Sequence, residues 1–151
     1  MKARLSIMMV FGVWFAAVVA EAQPAFPTDF VERLDQVGEI YVGTQRQDGS
    51  RSAVVPVWFA HVDGAIWFAT NPTSVKARRV KGGSPVYVSA TGAEGPFIET
   101  KAEVANDPEM AARLGELYSD KYWLAWIGYQ RPSRERLEAG EIILLKLTPM
   151  P

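Results

Sequence analysis

The stretch "NPTSVKARRVKGG", residues 71–83, places Lys76, Arg78, Arg79 and Lys81 within six positions. The chain as a whole is near charge balance, with 16 Lys and Arg against 17 Asp and Glu. Asn71 is a favourable N-cap, Pro72 a favourable first helical residue, and Gly82–Gly83 a stop, so the stretch reads as a short helix. A helix start presents unpaired N–H groups and a partial positive charge. Pro72 has no N–H, which leaves Thr73, Ser74 and Val75 as donors, with the Thr73 and Ser74 hydroxyls beside them. Lys76 lies one turn on, and Arg79 follows on the same side. Arg78 is about 200° round from Lys76 and faces away. Donors, hydroxyls and cations that converge in this way suit a phosphate. The other reading is a solvated basic face, and the pattern alone leaves both open.

Other chemistries lack their parts. There is no cysteine and a single histidine, His61. Thiol chemistry, Cys-His nucleophile systems and multi-histidine metal sites therefore lack their parts. His61 reads as a strand-end residue near a turn ahead of an axial haem ligand. Nucleic acid is a poor partner for a chain with one short basic cluster and no basic face.

The elements that must position the cluster follow in a readable order. "PTDFVERLDQVG" predicts a helix, with Thr28 as N-cap and Phe30, Val31, Leu34 and Val37 at helical spacing. Residues 39–70 predict three strands, punctuated by Asp48-Gly49 and Asp63-Gly64 turns. Pro56 cannot donate to a ladder, so its strand belongs at an edge or bulge. After the basic helix come two strands, over "SPVYVSAT" and "FIETKAEVA". A helix capped by Asp107 with Pro108 at its start follows, with Met110, Ala111, Leu114 and Leu117 as its buried stripe. An aromatic segment from Tyr122 to Tyr129, a short helix over "PSRERLEAG" and a last buried strand over "EIILLKLTP" complete the chain. Strands joined by tight turns must close or pack. The expected fold is mainly β with flanking helices: a small, strongly curved antiparallel barrel with helices at its rim, which the family resemblance given next implies to be a split β-barrel.

From Glu39 to Ala105, and more loosely to Leu147, the sequence resembles the FMN-binding split-barrel family that includes pyridoxamine 5′-phosphate oxidase. The matching features are Pro56-Val57-Trp58, Asp63-Gly64, Trp67-Phe68-Ala69-Thr70, Ser74-Val75-Lys76, Arg79 and Pro85-Val86, in that order. The resemblance implies an FMN cofactor, with a deazaflavin as the alternative and haem a more distant one. It implies that Lys76 and Ser74, with Arg51 or Arg79, hold the phosphate. Val55, Pro56, Val57 and Trp58 would pass along the flavin ring, and Ala69 and Thr70 would flank the ribityl chain. It further implies a homodimer with cofactor at the interface, the aromatic segment covering the ring, and oxidoreductase activity on a small-molecule substrate. The alternative is a flavin or haem carrier without turnover. The family's oxidase also has a C-terminal segment whose arginines grip the substrate phosphate. No counterpart follows "EIILLKLTPMP", so a different substrate is expected.

The first 22 residues read as an export signal. Lys2 and Arg4 precede an apolar run of 16 residues, Leu5 to Ala20, and Ala20-Glu21-Ala22 makes a small-x-small cleavage site. A membrane-spanning helix needs about 20 residues, so the alternative is an uncleaved anchor. Cleavage removes Lys2, Arg4 and Glu21 and leaves 129 residues, 23–151, with 14 cations against 16 acids, a net −2. That length suits one domain. The expectation is a periplasmic or secreted protein with no stable membrane insertion. Mass spectrometry of the exported form should give a chain that starts at Gln23. Retention of Met1 would favour the anchor.

Overall fold

The computed structural model describes residues 17, 20–128 and 130–151. Most of the expected signal, and Tyr129, lie outside the described residues. No described helix is long and apolar enough to cross a membrane. The elements run α1 (Thr28–Leu34), β1 (Ile40–Thr44), β2 (Val55–Val57), β3 (Ala60–Val62), β4 (Ala65–Thr70), α2 (Val75–Lys81), β5 (Val86–Ser89), β6 (Ile98–Ala105), α3 (Pro108–Lys121), α4 (Trp123–Trp126), α5 (Arg134–Glu138) and β7 (Ile143–Pro149).

All seven strands form one antiparallel sheet, in the order β2-β1-β5-β6-β7-β4-β3. Its two edge strands are consecutive in the chain, with only Trp58 and Phe59 between them. Laid flat, such a sheet would hold its edges roughly 29 Å apart. Three Cα steps from Val57 to Ala60 span at most about 11 Å. The sheet must therefore curl until its edges meet at Trp58–Phe59. Pro56 lies on the edge strand β2, opposite Tyr41, where its missing N–H costs no ladder bond.

Three local expectations need correction. Residues 39–70 hold four strands, because the middle run splits at Trp58–Phe59. Pro27, not Thr28, occupies the cap position of α1, which ends at Leu34, short of Val37. Helix α2 starts at Val75, with Ser74 as its cap and not Asn71. Asn71 instead closes a turn, its Oδ1 accepting from the Thr73 N–H at 2.8 Å. The Asp63-Gly64 turn is as expected: both residues have positive φ, 51° and 76°, as a two-residue hairpin requires. Asp107 caps α3, its side chain accepting from the Met110 N–H.

Alternation along the strands divides the core in two. Ile66 and Phe68 of β4 and Leu145 and Leu147 of β7 face inward, against Phe30 and Leu34 of α1 and Val80 of α2. Ala65, Trp67 and Leu144 face outward, under Ala111, Leu114 and Tyr118 of α3. β4 is thus buried on both faces from Ala65 to Phe68, which is why it reads as a continuous apolar run.

The break between the edge strands is held from α3 and the residue after it. The Tyr118 hydroxyl donates to the Trp58 carbonyl at 2.7 Å. The Tyr122 hydroxyl accepts from the Phe59 N–H at 3.1 Å and lies 3.2 Å from the Phe59 carbonyl, to which it donates. The Trp58 and Tyr122 rings stack, with centroids 4.3 Å apart and planes 3° from parallel. Burial, with Tyr122 adjacent, holds the Tyr118 phenol well above its usual range against a backbone hydrogen bond from Ala69. Burial pushes Tyr122 up to about 12, against its bond with Phe59. Both phenols thus stay neutral in the folded chain at pH values where they would ionise in the unfolded one, near 10. Their contribution to stability is full below pH about 10 and declines as pH rises toward 12. Absorbance titration at 295 nm should show two tyrosines that ionise only as the chain unfolds. Tyr122→Phe should cost about 1–3 kcal/mol at pH 7 in urea melts, because it strands the buried Phe59 N–H. A variant as stable as the parent would show that the hydroxyl does not hold the break.

Candidate functional site

Two cavities adjoin at Lys76. The first, about 360 Å³, lies between β1, the segment after the 45–51 hairpin, and the start of α2. The second, about 380 Å³, lies between β2, the end of β4, Tyr118 and the region around α5. Lys76 lines both.

Val55, Ser74, Lys76 and Arg79 line the first cavity. Pro56, Val57, Trp58, Ala69 and Thr70 line the second, again with Lys76. Of the ten residues singled out in the sequence, only Arg51 lines neither. Its guanidinium lies over the Phe97 ring, 3.6 Å from the centroid. Arg46 takes the place on the first cavity that Arg51 was expected to fill. It is fixed by its Nη1, which donates to the Arg51 carbonyl at 2.6 Å and to Ser50 Oγ at 3.2 Å. Thr44 and Ser52 also line this cavity. They are brought there because Gly43 lets the returning strand lie close: a Cβ at Gly43 would sit 3.1 Å from Val54 and 3.3 Å from the Ser52 carbonyl. That glycine within a β-rich run was the signal in the sequence for a close backbone approach.

The four cations of residues 76–81 sort into two pairs. Arg78 and Lys81 are exposed and reach back to the Thr73 and Pro72 carbonyls. Lys76 and Arg79 are half-buried. Arg79 donates to Thr44 Oγ1 at 3.0 Å, which aims the guanidinium across the first cavity. Lys76 forms no ion pair among the described residues. Its ammonium stands 5.6 Å from the Phe68 ring centroid, and burial holds its pKa below the usual lysine range.

The donors differ from those expected. The Thr73 N–H and hydroxyl both donate to Asn71 Oδ1, and the Ser74 N–H to the Asn71 carbonyl. Ser74 Oγ accepts from the Ala77 N–H, which leaves its own proton to donate. With only seven residues in α2, the helix dipole is a minor contribution. The attraction for an anion comes from Lys76, Arg79 and Arg46, with the Thr44 and Ser74 hydroxyls; the Ser52 hydroxyl is spent on the Ala53 carbonyl at 2.9 Å.

The second cavity has an aromatic wall and a polar far end. Trp58 and Tyr118 supply the wall. Glu39, Gln130, Arg136 and Glu141 supply the polar end. Arg136 is oriented by Glu141, Nε to Oε2 at 3.2 Å, and by the Arg131 carbonyl at 2.9 Å. Gly115 allows the segment before α5 to pack on α3, since the Pro132 carbonyl oxygen lies 2.5 Å from where a Cβ would be. Tyr122, from the aromatic segment, is buried behind Trp58, whereas Trp123 and Ile127 are exposed. His61 lines neither cavity. No group of three or more His, Cys, Asp and Glu able to hold a metal occurs among the described residues.

Solved structures share this arrangement of strands. A pyridoxamine 5′-phosphate oxidase-like protein from Listeria innocua matches with a TM-score of 0.58 at 16% identity, over 82% of this chain and 92% of that one. The chain has the split-barrel fold. An F420 reductase matches with a TM-score of 0.53 at 20% identity, over 83% of this chain and 97% of that one. The heme storage protein HutZ from Vibrio cholerae matches with a TM-score of 0.56 at 13% identity, over 84% and 92%. No protein-family model matches the chain, and no curated protein matches it by sequence. The split barrel thus serves flavin-type and haem proteins alike, and the particular cofactor must be argued from the cavity residues.

Proposed function

We propose that this protein is an exported, homodimeric split-barrel oxidoreductase that binds FMN or a deazaflavin and acts on a small organic substrate. The observation that carries the reading is Lys76: a half-buried ammonium without a carboxylate partner, standing where a cationic cavity meets an aromatic one. Desolvating a cation is costly unless an anion shares the site. A phosphate in the first cavity would meet Lys76, Arg79 and Arg46 and accept from the Thr44 and Ser74 hydroxyls. A flat ring in the second would lie along Pro56 to Trp58, with Ala69 and Thr70 beside the chain that joins ring to phosphate. The residues present fit a phosphorylated flavin in charge, in hydroxyl donors and in the order of the two cavities.

The cofactor would supply the hydride or electron transfer. The chain's own part is to bind, to orient and to exclude water. Trp58, stacked on Tyr122 and tied to Tyr118, forms a wall that cannot rotate away. Arg136 and Glu141 offer charged groups at the polar end for a substrate or for the polar edge of a ring. No side chain of the cavities need act as a nucleophile. The rival is a carrier without turnover, which the fold of HutZ keeps open. A visible spectrum of protein isolated from its native compartment separates them: flavin bands near 375 and 450 nm, a deazaflavin band near 420 nm or a Soret band would each select a branch (about these positions, by the chromophores' own chemistry).

The dimer has a physical motive. Trp123 and Ile127 are 75% and 64% exposed, and Val55 on the edge strand β2 is 43% exposed. A pairing interface would cover such an edge and such side chains. Light scattering of the 129-residue form should give roughly 28 kDa, twice the monomer. A stable monomer at micromolar concentration would contradict an interface-bound cofactor.

The phosphate reading makes the cations unequal. A charge-assisted hydrogen bond is worth about 1.5–3 kcal/mol. Lys76→Ala should weaken FMN or deazaflavin binding roughly 10- to 150-fold in a fluorescence titration, and riboflavin, which has no phosphate, far less. Arg78→Ala should change neither by more than about 2-fold, as for a surface charge. Equal losses would mean diffuse attraction to a basic face. No loss from Lys76→Ala would remove the support for a phosphate.

A further inference from the structure

The first cavity continues past its arginines. Arg46, Val75 and Arg79 also line a third cavity, of about 740 Å³, which lies between the 45–51 hairpin and α2. Arg78 lines this third cavity and neither of the other two. Its walls are polar, and Val75, 48% exposed, supplies its apolar surface.

The arginines here are held in place but not used up. Arg46 Nη1 is spent on its own hairpin, and Arg79 Nη1 lies 3.0 Å from Thr44 Oγ1. Arg78 Nη1 has one long bond, 3.4 Å, to the Thr73 carbonyl. Among the described residues the Nε and Nη2 groups of all three make no hydrogen bond, and none of the three makes an ion pair. Arg113, Arg131, Arg134 and Arg136, on the other side of the sequence, are each paired with a carboxylate. One carboxylate, Asp48, lines the third cavity. Its Oδ1 accepts from the Ser50 N–H at 2.9 Å and the Ser50 hydroxyl at 2.6 Å, which leaves Oδ2 to accept from a ligand. Gln45 and Gln47 bring side-chain amides to the same wall.

We propose that the anion of the first cavity is the inner phosphate of a dinucleotide, and that the third cavity takes the nucleotide joined to it, as the adenylate half of FAD. This rests on the phosphorylated-flavin reading and extends the ligand past its phosphate. FMN carries its negative charge on one phosphorus, whereas a dinucleotide divides it between two linked phosphates. The cations are divided in the same way. Lys76 belongs to the first cavity, Arg78 to the third, and Arg46 and Arg79 to both. Asp48 argues for a nucleotide over a tail of carboxylates, which it would repel. Ribose hydroxyls can donate to its free oxygen, as they do to the acidic residue of dinucleotide-binding folds. A glutamine amide offers the donor and acceptor that an adenine edge pairs with.

Calorimetric titration of the 129-residue chain, stripped of any bound flavin, with FMN and with FAD tests this. FAD should bind at least about 10-fold more tightly than FMN. Arg78→Ala should weaken FAD about 5-fold and leave FMN within about 2-fold. Asp48→Asn keeps an oxygen for Ser50 and removes the free acceptor, so it should weaken FAD and not FMN. Equal affinities for FMN and FAD would mean a phosphate site with no nucleotide site beside it, and overturn the proposal. A preference for FAD that Arg78→Ala leaves intact would put the nucleotide elsewhere, and FAD binding strengthened by Asp48→Asn would mean that the carboxylate only repels; either overturns it. Binding of neither flavin would end the phosphorylated-flavin reading itself, and the proposal with it.

Discussion

Two tyrosine hydroxyls hold the place on which the rest of the molecule depends. Tyr118 and Tyr122 stand one helical turn apart and reach Trp58 and Phe59, the two residues between the edge strands. Any extended residue carries one donor and one acceptor that must be met. At Phe59 both are met by a single phenol, so the chain can leave one edge of the sheet and join the other without an orphaned group. The curl of the sheet follows from that step, since the edges cannot part by more than the chain allows. The wall of the second cavity follows too, because Trp58 is fixed by the same pair of rings. A helix more than 50 residues further along the chain thereby sets the shape of a cavity built mainly from β2 and β4.

Much of the architecture was legible for local reasons. β-branched and aromatic runs marked the strands, Asp-Gly pairs marked two turns, and Asp107-Pro108 marked the start of α3. The break at Trp58–Phe59 was not legible. "AVVPVWFAHV" is a continuous apolar run, and a continuous run gives no reason to stop a strand inside it. The reason lies in hydroxyls brought there by tertiary packing. The start of α2 was misread for a different cause. Asn71 and Ser74 are both good caps, and Pro72 suits a first helical turn. The chain used Asn71 to close a turn and kept Ser74 for the helix, which a ranking of caps alone does not anticipate.

The candidate site was legible where it follows the strands and illegible where it depends on a hairpin. Val55 to Trp58, Ala69 and Thr70 sit on β2, at its end and on β4, and their places follow from strand order. Arg46 and Arg51 straddle the 45–51 hairpin, and from sequence either could face the cavity. The isolated bridge between Gln45 and Arg51 fixes the pairing. It sends Arg51 over Phe97 and leaves Arg46 on the cavity side. Tyr118, Gln130, Arg136 and Glu141 reach the second cavity only because the barrel closes and α3 and α5 pack outside it. Their spacing in sequence carries no trace of that.

Two lysines frame the same strand break and share a burial-lowered pKa, yet their surroundings differ. Lys76 is joined by Arg79, Arg46 and the Thr44 and Ser74 hydroxyls, so burial there raises the advantage of a bound anion: the ammonium regains by pairing what it lost by desolvation. Lys121 is joined by carboxylates at a distance and by the Phe59 and Tyr122 rings, which favour the ammonium and oppose the effect of burial. A low pKa therefore does not name a function. The donors and charges around the amine decide whether it is poised to hold an anion, and in this fold those surroundings are set by which side of Trp58–Phe59 the lysine approaches.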